Sequence, residues 1–224
     1  MRSQVDTINL AANIPGMQKL HDLTLAISVS KATGNMRDDV MDLSTFWHRG
    51  VRCGFLARQI AESIGLHNVE SIFIRGLLHD IGHLVLFSTY PDECRQTLVP
   101  SKQGLEGRMQ EEDTIGAHAL QRSAKLMQLW QLPQTFIDTF QHLLHPEEVE
   151  FPLAREIAIL NIAVQFISVA DSDSSEEDIL KQIRPKTWGI AGLKPDVGIA
   201  ALYESTQEMS KAMYKILTQQ EHGN

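Results

Sequence analysis

Apolar residues recur along this chain at helical spacing and almost nowhere in the strict alternation of a half-buried strand. Leu20, Leu23 and Ile27 mark one face of a stretch from Met17 to Ala32, which Gly34 and Asn35 close. A shorter helix is expected before it, from Asp6 to Asn13, broken by Pro15 and Gly16. The pattern then predicts a long helix from Asp42 to Ile64, with Gly65 as its stop. A helix from Val69 to about Asp80 follows, ending at a turn at Ile81 and Gly82, and a further helical piece runs from His83 to Thr89. Pro91 opens a short helix that closes near Pro100, and the polar residues 101–113 read mainly as a loop.

Beyond that loop, helices are expected over Thr114 to Leu129, Gln134 to Leu144, Leu153 to Ala170, Ile179 to Trp188 and Pro195 to Gln220. The acidic run from Asp171 to Asp178 reads as a solvated turn and a helix start, where carboxylates suit the helix dipole. The chain has no repeat of solenoid length and no Asn-Gly hairpin turn. The expected fold class is therefore all-α. The pattern by itself does not choose among all-α folds.

Composition narrows the field. A chain of 224 residues, 43% hydrophobic and 21% charged, suits one large domain or a core with a small appendage. A net charge of -8 disfavours tight binding to a phosphate backbone, so no nucleic-acid partner is expected. Cys53 and Cys94 each fall in an expected helix among apolar neighbours and read as buried free thiols, with no CxxC or Cys/His zinc pattern. The first residues lack the continuous apolar stretch of a signal peptide. The longest apolar run, from Ile157 to Ala170, is interrupted by Asn161, Gln165 and Ser168 and falls short of the roughly 20 residues of a membrane span. No membrane partner is expected, and a cytoplasmic location follows by default.

The sharpest chemical signal is His79-Asp80, set between Gly76 and Gly82. An imidazole nitrogen and a carboxylate oxygen side by side can serve one cation, given further ligands from other helices. The dipeptide alone is weak evidence, since His21-Asp22 repeats it without context. The wider string is far more specific. Phe46-Trp47-His48 lies upstream, and Gly116-Ala117-His118-Ala119 and Trp130-Gln131-Leu132-Pro133 lie downstream. In that order, these motifs resemble the HD superfamily, and within it the HD-related output domain, HDOD. The resemblance covers nearly the whole chain, and Val5 to Ala11 is similar to the segment just before the HD half in such domains.

The resemblance implies an HD-domain-like helical core over residues 36–224, preceded at residues 1–35 by a remnant of a helical lobe, with a C-terminal packing helix. It implies that the chain begins partway through that lobe. It implies a divalent metal ion of unspecified identity, with His48, His79, Asp80 and His118 as the metal set. The catalytic members of the superfamily are metal-dependent phosphohydrolases, in which the metal activates water. The HDOD branch instead resembles a regulatory module of bacterial signalling, whose partner would be a signalling protein or a nucleotide.

Measured against the catalytic pattern, the set is depleted. The adjacent histidines that often precede a proline fall on Leu143 and Leu144 before Pro146, and a shifted alignment recovers only His142 or His145. The closing aspartate falls on Val164. No Asp or Glu lies between Glu156 and Asp171, and Asn161, about one turn away, is the nearest oxygen-bearing side chain. The expectation is a degenerate metal site without catalytic residues in a non-catalytic regulatory module. The alternative is a phosphohydrolase acting on a nucleotide or a cyclic dinucleotide.

Plainer readings stand beside these. His79 and Asp80 also suit a buried structural pair, with Asp80 accepting hydrogen bonds from backbone groups at the following turn and orienting His79, while His83, one turn on, suits a partner that orients the metal ligands. His21 and His67 read as structural or exposed, and Glu111 to Asp113 as a solvated face. Trp47, Trp130 and Trp188 are expected to fill the core or helix junctions. Leu202, Met209, Met213 and Leu217 should pack the last helix on the core.

Overall fold

The computed structural model describes residues 43–90, 92, 119–170, 176–195 and 198–218. The lobe at residues 1–35, the two helices expected in it, the loop at 101–113, His21, Cys94 and His118 lie outside the described residues, as does the helix expected from Pro91 apart from Asp92. Among the described residues every regular element is helical and none is a strand.

The first helix, α1 (Leu43–Ser63), carries two apolar strips. Leu43, Trp47, Val51 and Phe55 recur every four residues and join one core cluster. Cys53, Leu56, Ala57, Ile60 and Ala61 join a second. The helix is thus buried on two sides and divides the interior, as its dense apolar pattern requires. It stops where expected: Gly65 has φ 72, and Leu66 N–H closes the turn on Ala61 O at 3.0 Å.

Across α1 lies α2 (Val69–Leu77). Glycines set the distance of the crossing. A Cβ on Gly76 would stand 2.7 Å from Gly54 Cα, and one on Gly54 2.7 Å from Phe73 O. The chain then turns at Leu78–Asp80 into α3 (Ile81–Thr89). Described structure resumes with α4 (Ala119–Leu129) and α5 (Gln134–Gln141), and a short 3-10 turn spans Pro146–Glu148. Next come α6 (Leu153–Val169), α7 (Glu176–Gln182), α8 (Pro185–Ala191), α9 (Ile199–Ser205) and α10 (Gln207–Thr218). Helix α4 packs on α3 and α5, α6 on α1 and α8, and α10 on α1. Residues 157–164 of α6 are buried without a break, so this is a core helix. No described helix is long and apolar enough to cross a membrane.

Several boundaries differ from expectation. Helix α2 ends at Leu77, and α3 begins at Ile81 rather than His83, so His79 and Asp80 sit in the connecting turn. Short-range bonds tighten it: His79 N–H to Gly76 O and Ile81 N–H to Leu78 O. The helix expected over Ile179 to Trp188 is two, because Pro185 cannot supply an interior N–H and instead opens α8. The last helix is also two. It starts after Gly198, which has φ 74, and breaks at Thr206, whose hydroxyl donates to Tyr203 O at 2.7 Å.

The tryptophans divide as well. Trp47 and Trp188 are buried, but Trp130 is 37% exposed. It follows α4 at the helix exit, where Gln131 takes φ 56 and turns the chain away. In the interior, Arg75 of α2 is 1% exposed. Its Nε donates to Ser71 O at 3.2 Å, Nη1 to Thr139 Oγ1 of α5 at 2.9 Å, and Nη2 to Glu156 Oε2 of α6.

Candidate functional site

The Leu78–Asp80 turn is clamped by α4. Ser123 is fully buried, and its Oγ accepts from Gly82 N–H at 2.8 Å and donates to His79 O at 3.3 Å. A small residue at 82 is what lets α3 approach closely enough: a Cβ there would lie 1.9 Å from Ala119 O.

His79 is 1% exposed. Its Nδ1 lies 2.8 Å from Gly76 O, a carbonyl that can only accept, so Nδ1 carries a proton. Its Nε2 lies 3.3 Å from Asp80 Oδ2, and Cys53 of α1 is close enough to influence the ring. Both ring nitrogens face acceptors, which is the environment of an imidazolium. Burial opposes the charge, but the Asp80 carboxylate and the Cys53 sulfur outweigh it, and the His79 pKa is pushed up from 6.5 to about 10.

Asp80, 7% exposed, is enclosed by cationic or cation-forming groups. Arg49 Nη1 of α1 is 3.9 Å from Oδ2, and His83 Nδ1 of α3 is 3.5 Å from Oδ1. His83 thus partners the pair, in keeping with its position one turn on.

A pH dependence follows. A group whose pKa is raised on folding stabilises fully below its unfolded value, near 6.5, and that contribution is lost as pH rises toward about 10. Over that window the loss runs at up to about 1.4 kcal/mol per pH unit. The stability gap between the wild type and His79→Gln, read from urea midpoints, is expected to be widest near pH 6 and to shrink steadily toward pH 10. A gap that stays constant over this range would contradict the imidazolium assignment.

The structure brings together His79 and Asp80 but does not gather His48 with them into a metal-holding group. Among the described residues, no three His, Cys, Asp or Glu side chains stand in position to hold a metal ion. The His48 ring instead meets Tyr214 of α10 edge-on, with centroids 5.4 Å apart. His142 Nδ1 lies 3.1 Å from Glu148 Oε2, and His145 Nδ1 3.8 Å from Glu147 Oε1. Leu143 and Val164 are buried in the same cluster as Cys53, with Leu144 packed against it. Asn161 Nδ2 donates to Leu143 O at 2.7 Å, and its Oδ1 accepts from Gln165 Nε2, so its amide is committed to tying α6 to the turn after α5.

Do these donors fit a divalent ion? Ligand atoms about 2.0–2.2 Å from such an ion sit roughly 3.0–3.4 Å apart. The 3.3 Å spacing of His79 Nε2 and Asp80 Oδ2 meets this, and the Nδ1 bond to Gly76 O holds the ring as metal-bound histidines are held. The rest does not fit. The guanidinium of Arg49 stands beside the carboxylate, and Leu143, Leu144 and Val164, where the catalytic pattern carries further ligands, are apolar. The described donors make an ion-pair cluster rather than a closed metal site.

Sequence reasoning missed Arg49 and Ser123, and it read Cys53 only as a buried thiol. A signal was there. Arg49 and Cys53 are one helical turn apart, next to Gly50 and Gly54, the small residues that mark where α2 crosses. Elsewhere, a cleft of about 650 Å³ is lined by residues including Leu180, Ile183, Pro185 and Trp188, and none of the candidate site residues lines it.

Comparison with known proteins gives this geometry a setting. The HDOD domain model matches residues 1–146. An uncharacterized protein of Treponema pallidum (strain Nichols) is 25% identical over 181 residues, covering 79% of this chain and 34% of that protein. The chain therefore spans about a third of the length of that curated relative. Among solved structures, a candidate phosphohydrolase from Shewanella amazonensis SB2B aligns with a TM-score of 0.69 and 24% identity, over 93% of this chain and 76% of that one. An HDOD domain protein of unknown function from Geobacter sulfurreducens aligns with a TM-score of 0.63 and 19% identity, over 85% and 67%. A candidate signal transduction protein from Marinobacter aquaeolei VT8 aligns with a TM-score of 0.61 and 18% identity, over 88% and 45%. At these identities the structural likenesses establish the fold.

Proposed function

The chain belongs to the HDOD family, and from that membership we propose that it is a regulatory module of bacterial signalling that binds a protein partner or a nucleotide without turnover. One observation carries the reading. The Asp80 carboxylate, which a catalytic HD site would turn toward a metal, is here surrounded by Arg49, His79 and His83. The charge is balanced from within the protein. The apolar side chains of Leu143 and Val164 agree with this, because they fill the core where the superfamily's pattern carries ligands. The signalling role draws its support from the family and from the likeness to a candidate signal transduction protein.

A second reading, a metal-dependent phosphohydrolase, is favoured by one feature: the ligand-like spacing of His79 Nε2 and Asp80 Oδ2. Elemental analysis of protein purified without chelator, beside a His79→Ala, Asp80→Ala control, separates the two. We expect well under one equivalent of divalent metal in the wild type and no rise in melting temperature on adding Mn²⁺. Near-stoichiometric metal that disappears in the control, with turnover of a phosphodiester, would overturn the proposal. Val164→Asp gives a further check: a large gain in Mn²⁺ affinity when the carboxylate returns would favour the metal-binding reading, and with Arg49 facing Asp80 we expect little gain.

A further inference from the structure

We infer that α10 is a latch over the His48 face of α1, opening far more often than the domain unfolds. The helix docks through one face: Met209, Ser210, Met213 and Tyr214. Of these, only Met213 is an apolar side chain buried completely, in the cluster that holds Leu43, Trp47 and Val51 of α1.

Two buried polar groups on or near this face lack partners. Trp47 Nε1 and Ser210 Oγ are both buried and neither has a hydrogen-bond partner. Each such group raises the free energy of the docked state relative to a released one, in which water can reach it. Two polar contacts of the helix are exposed. Tyr214 OH hydrogen-bonds Ser44 Oγ at 2.7 Å, and Lys211 pairs with Glu208 of its own helix. The helical run breaks at Thr206, between α9 and α10. By contrast, α6 is buried continuously over residues 157–164 and makes the natural reference for global unfolding.

Release of α10 would free His48 from Tyr214 and expose the apolar strip of α1 beneath Met213. His48 is next in sequence to Arg49, whose guanidinium faces Asp80, so the latch lies one residue from the ion-pair cluster. This inference rests on the proposed function only in treating that face as one a partner would meet. The tests below report on the helix itself, so their failure would leave the regulatory reading standing.

Hydrogen exchange on the full chain, followed by mass spectrometry, is the direct test. Peptides over residues 207–215 are expected to exchange at least about tenfold faster than those over 157–164. Ser210→Ala, which removes the unpaired hydroxyl, should slow exchange of α10 about threefold or more and leave α6 unchanged. Met213→Ala should speed it at least about tenfold. Modification of His48 by diethyl pyrocarbonate should follow the same order: fastest in Met213→Ala, slowest in Ser210→Ala. Exchange of α10 in step with α6 in the wild type and in Ser210→Ala would overturn the latch, as would His48 labelling indifferent to both substitutions.

Discussion

Replacing Glu156 by leucine is expected to destabilise the domain by about 3 kcal/mol, the lower end of the roughly 3–5 kcal/mol typical of breaking a buried ion pair. The lower end applies because the Glu156 side chain keeps 18% exposure. The loss comes less from the missing attraction than from what is left behind. Arg75 would keep its bonds to Ser71 O and Thr139 Oγ1 but would hold a buried charge with no counter-ion. Burial already pushes the pKa of this guanidinium down, with Glu156 as the opposing influence. The double variant Arg75→Met, Glu156→Leu should recover much of the loss, because two apolar side chains need no solvation. Urea midpoints decide it. A double variant no more stable than the single one would mean that the arginine's packing and hydrogen bonds matter more than its charge.

Gly82→Ala should be comparably severe, at about 3 kcal/mol or above, the top of the usual range for overpacking. The added methyl would stand 1.9 Å from Ala119 O and 2.7 Å from Ser123 N. Both are backbone atoms of α4, so no rotamer change relieves the clash and the helices must separate. The same separation would pull Ser123 from the His79–Asp80 turn. NMR of the His79 ring should therefore change along with stability. Gly189→Ala is the control. It lies in α8 with nothing within 4 Å of its Cβ, and it should stabilise by about 0.5–1 kcal/mol through helix propensity. A tolerated Gly82→Ala would show that the α3–α4 contact is looser than these distances imply.

What can be read from the sequence follows a physical division. The two strips of α1 and its stop at Gly65 are local patterns, legible in the residues alone. So is the burial of α6, and the packing of Met213, with Met209 partly buried against the same cluster and Leu202 against the other. The Leu217 side chain lies outside the described residues. The breaks at Pro185 and Thr206 are obscured because apolar periodicity carries on across them. The exposure of Trp130 is a different matter, since residue type does not fix which way the chain leaves α4. At the candidate site, the motif picks out His79 and Asp80. It cannot show that Arg49, Cys53 and Ser123 converge on them, because the crossing angles of three helices decide that.

Arg49 also bears on how a metal site could be rebuilt here. With a guanidinium already facing Asp80, restoring a single ligand at position 164 would bring back one donor to a site that still repels a cation. Recovery would take at least two changes, and the obvious first alone, Arg49→Ala, would strip Asp80 of a counter-charge. Arg49 and position 164 are therefore coupled: a return to metal binding needs both to change together, since either change alone leaves the charge around Asp80 unbalanced.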